Sequence, residues 1–218
     1  MIIDLPEKFR FQGDTPKDYA EVRENTLHIY GNVPIRKLMY DLTYSLKGNT
    51  ECFYCQRKIK KSEITLDHMY PQDIGGPTIP NNLTPACKEC NSKKANMTVT
   101  QYKTYLTLNK NKKAGYRKLI KEQQQIIRRG GGYEVPLEWI DVEKVSKFIV
   151  KVEMGIKYRG KKYDQIKADY REYKTITKPI VTDANGFVID GFITLMFAKE
   201  QGIKRLAVLK LENVIVHL

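Results

Sequence analysis

Cys52, Cys55, Cys87 and Cys90 are the only cysteines of the chain, and they form two C-x-x-C pairs separated by 31 residues. A two-residue gap lets both thiolates of a knuckle point at one ion, and two knuckles complete a tetrahedral sulfur site. Two disulfides, or four buried thiols, are the alternatives. No cysteine lies outside the pairs, and a chain read as intracellular disfavours disulfides, so zinc (Zn2+) is the expectation. Four protein ligands close the coordination sphere, which makes such an ion structural. Any chemistry must come from other side chains.

Those side chains stand between the knuckles and just past the second: Asp67-His68-Met69-Tyr70-Pro71, Gly75-Gly76, Asn81-Asn82-Leu83, then Asn91 and Lys94. Singly they are ordinary. An Asp-His pair is usually a surface contact, Asn82 would serve a turn and Asn91 a helix cap, and Pro71, Gly75 and Gly76 punctuate loops. Their register with the cysteines is not ordinary. The string D-H-x-x-P, G-G, N-L-x-x-x-C-x-x-C-N-x-x-K resembles the HNH endonuclease motif in its zinc-ribbon, H-N-N form. Asp67, His68, Pro71, Gly75, Gly76, Asn82, Leu83, Cys87, Cys90, Asn91 and Lys94 agree in order and spacing.

Cleaving a phosphodiester needs a base to activate water and a Lewis acid for the charge that develops on phosphate. His68 suits the first task, since a free imidazole with a pKa of about 6.5 is largely neutral yet basic. Asp67 and Asn91 offer the hard oxygen ligands that Mg2+ or Mn2+ prefers. The resemblance implies a ββα-metal fold in which a hairpin and a helix carry these residues, with His68 ending the first strand and Asn82 bracing its loop. It also implies DNA as substrate, with RNA left open, and one active site per chain suggests nicking by a monomer and double-strand cutting by a homodimer. The main rival is a zinc ribbon that binds nucleic acid without cutting it. A zinc hydrolase of small molecules fails because four cysteines leave the zinc no open position.

Charge points the same way. The net charge is +13, yet residues 1–87 balance 11 basic against 11 acidic side chains, while residues 88–129 carry 12 basic and 2 acidic. Such concentration is the footprint of a polyanion partner, although lysine-rich helices are often only solvated. Lys93, Lys94, Arg117, Lys118, Lys121, Arg128 and Arg129 are the expected nucleic-acid contacts.

The elements that must position these groups can be placed in outline. The expected class is α+β, with an HNH core, flanking helices and a small C-terminal α+β module. Ile35, Leu38, Met39, Leu42 and Leu46 recur at helical spacing before Gly48, so residues 1–50 read as a helical segment. Residues 51–129 read as the nuclease domain with a basic helical extension, ended by Gly130, Gly131 and Gly132. In residues 133–218 the expected elements are a strand from Phe148 to Met154, a helix from Tyr163 to Tyr173, and a hairpin about Asn185-Gly186. A helix from Phe192 to Gln201 and a strand from Leu206 to Leu211 follow. On this division a chain ending at Gly130 would fold by itself.

Lys178-Pro179-Ile180-Val181, Asp190-Gly191 and Ala198-Lys199-Glu200-x-Gly202 resemble the ParB/sulfiredoxin-like domain. That family follows Asp-Gly with polar and arginine residues, where Phe192, Ile193 and Thr194 stand here. The module therefore reads as a degenerate scaffold for placing DNA, for self-association or for structure alone. No apolar run reaches the length of a membrane span, and the N-terminus lacks a signal peptide's apolar core. The chain reads as cytoplasmic, and this type of protein suggests a prokaryotic, phage or mobile-element setting.

Overall fold

The computed structural model describes residues 1–48, 50–129, 138–141 and 160–217. The strand expected from Phe148 to Met154 and the three glycines lie outside them. The class is α+β, with three sheets among the described residues.

The first fifty residues depart from the helical expectation. Strands β1 (Arg10–Gln12), β2 (Tyr19–Arg23) and β3 (Thr26–Tyr30) form an antiparallel meander before the helix α1 (Ile35–Lys47). The β2–β3 turn is made by Glu24 and Asn25, both at positive φ (47° and 57°), the two-residue geometry that matches the twist of the strands. Strands of three to five residues carry at most two buried apolar positions each. Against the long amphipathic pattern of α1 they left little signal.

The hairpin from β4 (Ile64–His68) to β5 (Leu83–Cys87) is antiparallel, with Ile64 opposite Cys87 and His68 opposite Leu83. Helix α2 (Lys88–Lys94) packs on both strands, completing a ββα unit. Helices α3 (Val99–Thr107) and α4 (Lys110–Arg129) follow. Thr98 and Gln101 cap α3 reciprocally through side chain and backbone, which satisfies two otherwise orphaned amides.

In the last part, β6 (Glu138–Asp141), β9 (Arg205–Lys210), β7 (Ile180–Thr182) and β8 (Val188–Asp190) make one sheet in that spatial order. Helices α5 (Lys161–Tyr173) and α6 (Phe192–Glu200) pack against each other beside it. The hairpin about Asn185-Gly186 is present, with Gly186 at φ 88°.

The final strand, β10 (Val214–His217), leaves this sheet and pairs in parallel with β3, Val214 opposite Leu27 and His217 opposite Tyr30. Ile3 and Asn213 bond reciprocally, backbone N–H to side-chain Oδ1 and Nδ2 to backbone carbonyl, each at 2.9 Å. One core cluster holds Leu27, Ile29, Leu38, Met39 and Leu42 from the first part with Val181, Ile189, Leu209, Leu211 and Val214 from the last. Residues 1–48 and 160–217 thus share one core. The packing runs against the expectation that a chain ending at Gly130 would fold alone, because that cut removes five of the fifteen buried residues of this core.

Candidate active site and metal centre

The four cysteine sulfurs all lie within 4.8 Å of one another, and none is in a disulfide. Tetrahedral zinc with Zn–S of about 2.3 Å needs sulfurs roughly 3.8 Å apart; Cys55 Sγ and Cys87 Sγ are 4.0 Å apart. The first knuckle turns at Gln56, whose φ is 57° and whose N–H bonds the Cys52 carbonyl at 2.8 Å. In the second, Cys87 caps α2 and Cys90 N donates to Cys87 Sγ at 3.4 Å. The donor set fits a metal ion such as zinc. Held there, the ion would fasten the knuckle before β4 to the start of α2.

Strand β4 separates two groups of polar contacts, because successive side chains of a strand point to opposite faces. Thr65 and Asp67 meet α2. Asn91 Nδ2 donates to Thr65 Oγ1 at 2.9 Å, and Lys94 Nζ lies 3.0 Å from Asp67 Oδ2 and 3.3 Å from Oδ1. Tyr54 OH donates to Asp67 Oδ2 at 2.5 Å, and Lys94 Nζ also donates to the His68 carbonyl at 2.7 Å. Asp67 and Lys94 are buried, at 5% and 0% exposure. Burial pushes the Asp67 carboxyl up and the Lys94 ammonium down, while their mutual attraction opposes both shifts.

On the other side, His68 Nε2 lies 3.0 Å from Thr78 Oγ1, which also accepts from Gln72 Nε2 at 2.8 Å. Burial first, then the positive charges of Arg36, Lys94 and Lys178, lower the imidazole to about 4. His68 therefore stays in the pleat and does not turn to share a ligand space with Asp67. Its loop is tied by Asn82, whose Oδ1 accepts from Tyr70 N at 2.8 Å and whose Nδ2 donates to the Tyr70 and Pro77 carbonyls at 3.0 and 2.9 Å. Gly76 is forced: a Cβ there would lie 2.0 Å from the Tyr70 carbonyl oxygen. From α1, Lys47 Nζ donates to the Pro80 and Leu83 carbonyls at 2.7 and 2.6 Å, holding the start of β5.

Residues 52–106 match the family model described as HNH endonuclease. This HNH unit is about a quarter of the chain, its function is of nuclease type, and the family implies a nucleic-acid substrate. No curated protein matches the chain.

The HNH unit sorts the basic residues of the sequence differently from expectation. Lys94 is fully buried against Asp67, so it is corrected from a nucleic-acid contact to an internal ion-pair partner. Lys93 pairs with Glu89 at 2.6 Å on the surface. Arg117 donates to the Lys93 carbonyl and to Tyr105 OH, at 3.1 and 3.2 Å, and covers the Tyr105 ring at 4.7 Å. Arg128 donates to the Asp73 carbonyl at 3.1 Å. These two arginines pin α4 to the HNH unit. Lys118, Lys121 and Arg129 are exposed, and a groove of about 560 Å3 between α2 and α4 is lined by Arg117, Lys118, Lys121 and Arg128.

Several residues of the site escaped the sequence reading. Tyr54 sits inside the first knuckle and could have been found as the one residue between its cysteines with a side-chain hydrogen-bonding group, since its neighbour there is Phe53. Thr78, Gln72, Arg36 and Lys178 carry no local signal, since Thr78 meets His68 by the folding of the loop, Gln72 acts through Thr78, and the two cations act through tertiary structure. No helix of the described residues is long and apolar enough to cross a membrane.

Proposed function

We propose that the chain is an endonuclease that hydrolyses phosphodiester bonds in DNA, with His68 as the general base. The observation that carries this reading is the setting of His68: an imidazole kept neutral and ringed by the charges of Arg36, Lys94 and Lys178. A positive field beside a neutral base is what attack on a phosphodiester requires, since negative charge grows on phosphate as water loses its proton. When Nε2–H donates to Thr78, Nδ1 keeps its lone pair for the proton of water. Asn82 holds the loop that presents the ring, Asn91 ties α2 to β4, and the four cysteines hold zinc.

A Mg2+ or Mn2+ ion on Asp67 and Asn91 is the second element of the sequence reading. Asn91 leaves its amide oxygen without a partner among the described residues. Asp67 does not fit as it stands, because Lys94 and Tyr54 engage its oxygens and a divalent ion would meet the Lys94 ammonium.

The test is a nicking assay on supercoiled DNA with zinc-loaded wild type and His68→Ala, with and without Mg2+. Cleavage by the wild type is expected, with loss of at least a hundredfold in the variant while zinc content and DNA affinity persist, because a base acts in the transition state and not in binding. Cleavage by His68→Ala would overturn the assignment. Binding without cleavage by the wild type would leave a zinc-ribbon nucleic-acid-binding protein.

A further inference from the structure

A cleft of about 510 Å3 opens between the Gln72–Pro77 loop of the HNH unit and the C-terminal module. Its volume lies in the roughly 300–1,000 Å3 range of sites that take a small molecule or a single residue of a polymer. Neither part of the chain makes it alone. One wall is the loop that Asn82 holds; the others are α5, the Lys178-Pro179 segment and the first turn of α6.

The lining is divided by chemistry. Lys161, Lys162 and Lys178 bring three positive charges, and among the described residues none of them forms an ion pair. Phe192, Ile193 and Ile166 supply an apolar face, all partly exposed. Asp169 also lines the cleft and offers an acceptor, although its Oδ1 already takes a bond from Gln165 at 2.8 Å. Cations beside an apolar face suit a ligand that is anionic along one edge and flat and apolar along another, as a nucleotide is.

Two links join the cleft to His68. Gln72, in its wall, donates to Thr78, the hydroxyl that meets His68 Nε2. Lys178, at its other side, is close enough to help lower the imidazole. A phosphate drawn to Lys178 therefore lies in the same field as the ring.

We propose that this cleft seats one unstacked nucleotide of the substrate strand beside the phosphodiester on which His68 acts, its phosphates on Lys161, Lys162 and Lys178 and its base against Phe192 and Ile193. The inference rests on the nuclease reading for the role of His68, and it deepens that reading by giving the C-terminal module a share in the site. The module thus becomes part of strand recognition and not a separate scaffold.

Binding without cleavage separates the two ideas. The full zinc-loaded chain is titrated with a fluorescein-labelled single-stranded DNA of about a dozen nucleotides, without added divalent metal, at several salt concentrations. Charge reversal of the exposed pair, Lys161→Glu with Lys162→Glu, is expected to weaken binding at least tenfold and lower the salt slope by one to two units, each lost phosphate contact removing about 0.7 for a single strand. Phe192→Ala is expected to weaken binding about 5- to 100-fold, and Phe192→Tyr to restore it. Thermal melting of each variant separates lost contacts from lost folding, and the lysine pair, being exposed, keeps the test open should Phe192→Ala melt early. Unchanged affinity and slope in the folded lysine variant would overturn the proposal. So would micromolar binding of a free nucleoside triphosphate that leaves DNA affinity untouched, since the cleft would then serve a separate ligand. A wild type that binds in this way but never cuts keeps the cleft and sinks the nuclease.

Discussion

The HNH unit and the body built from the two chain ends are held together by different forces. The body has an aliphatic core drawn from residues as far apart as Ile3 and Val214. In the HNH unit the buried cluster is smaller and includes three of the four cysteines, with Ala86, Met97, Tyr102 and Ile120. There the buried polar links do much of the holding: the sulfur cluster, the Asp67–Lys94 pair and the three bonds of Asn82. A unit built so is rigid while its links are satisfied and fails abruptly when one is removed, whereas an aliphatic core loses stability by degrees.

Removing the metal breaks this contrast most severely. Structural zinc supplies folding energy on the order of 10–16 kcal/mol in small domains. Strong chelation should therefore abolish hydrogen-exchange protection in residues 52–106 while β3 and β10 stay protected. Loss of protection in both regions together would show one cooperative unit and end the comparison.

Cutting the chain after Arg129 tests the body instead. Leu209, Leu211 and Val214 leave the core and β3 loses its parallel neighbour. The shortened chain should retain zinc but show no cooperative melting of residues 1–48 by calorimetry. A sharp melting transition there would mean the N-terminal meander and α1 suffice.

A narrower break is Lys94→Met, which leaves a buried carboxylate unpaired. Losing one partner of such a pair costs about 3–5 kcal/mol, so the urea midpoint should fall sharply. Added Mg2+ should restore part of the loss if Asp67 is the divalent ligand, because the cation would then replace the missing ammonium. No rescue at millimolar Mg2+ places the ion elsewhere.

The smallest effect is a shift in pH dependence. A free histidine would lose its basic form near 6.5, but His68 is lowered to about 4 by burial and by Arg36, Lys94 and Lys178. Its neutral state favours the folded chain above pH 6.5, and this contribution is lost as pH falls from about 6.5 through 4. The acid limb of kcat/KM, which reports the free enzyme, should thus lie near 4. The limb of kcat should lie higher, because a bound phosphate favours imidazolium. A kcat/KM limb near 6.5 would show His68 exposed to water in solution.

The site was legible in the sequence to the extent that its geometry is local. Two residues between cysteines set the knuckle, and the ten positions from Asn82 to Asn91 carry the chain from the loop through β5 into α2. The same strand period that makes β4 sets Asp67 and His68 on opposite faces, a consequence of neighbouring positions in a pleat. Asn185-Gly186 and the spacing of Leu38, Met39 and Leu42 are equally local, and the elements they signal are present.

Tertiary structure decided the rest. Nothing near Thr26–Tyr30 indicates that its parallel neighbour begins at Val214, because that pairing is selected by burying Leu27, Ile29 and Val214 in one core. Nothing in C-N-x-x-K indicates that its lysine turns inward, because that depends on the carboxylate β4 places over α2. The cleft beside His68 exists only where a loop and a module more than eighty residues apart in sequence meet. Spacing along a chain sets which side chains can share one turn or one face. Which faces meet is set by the burial of the whole molecule.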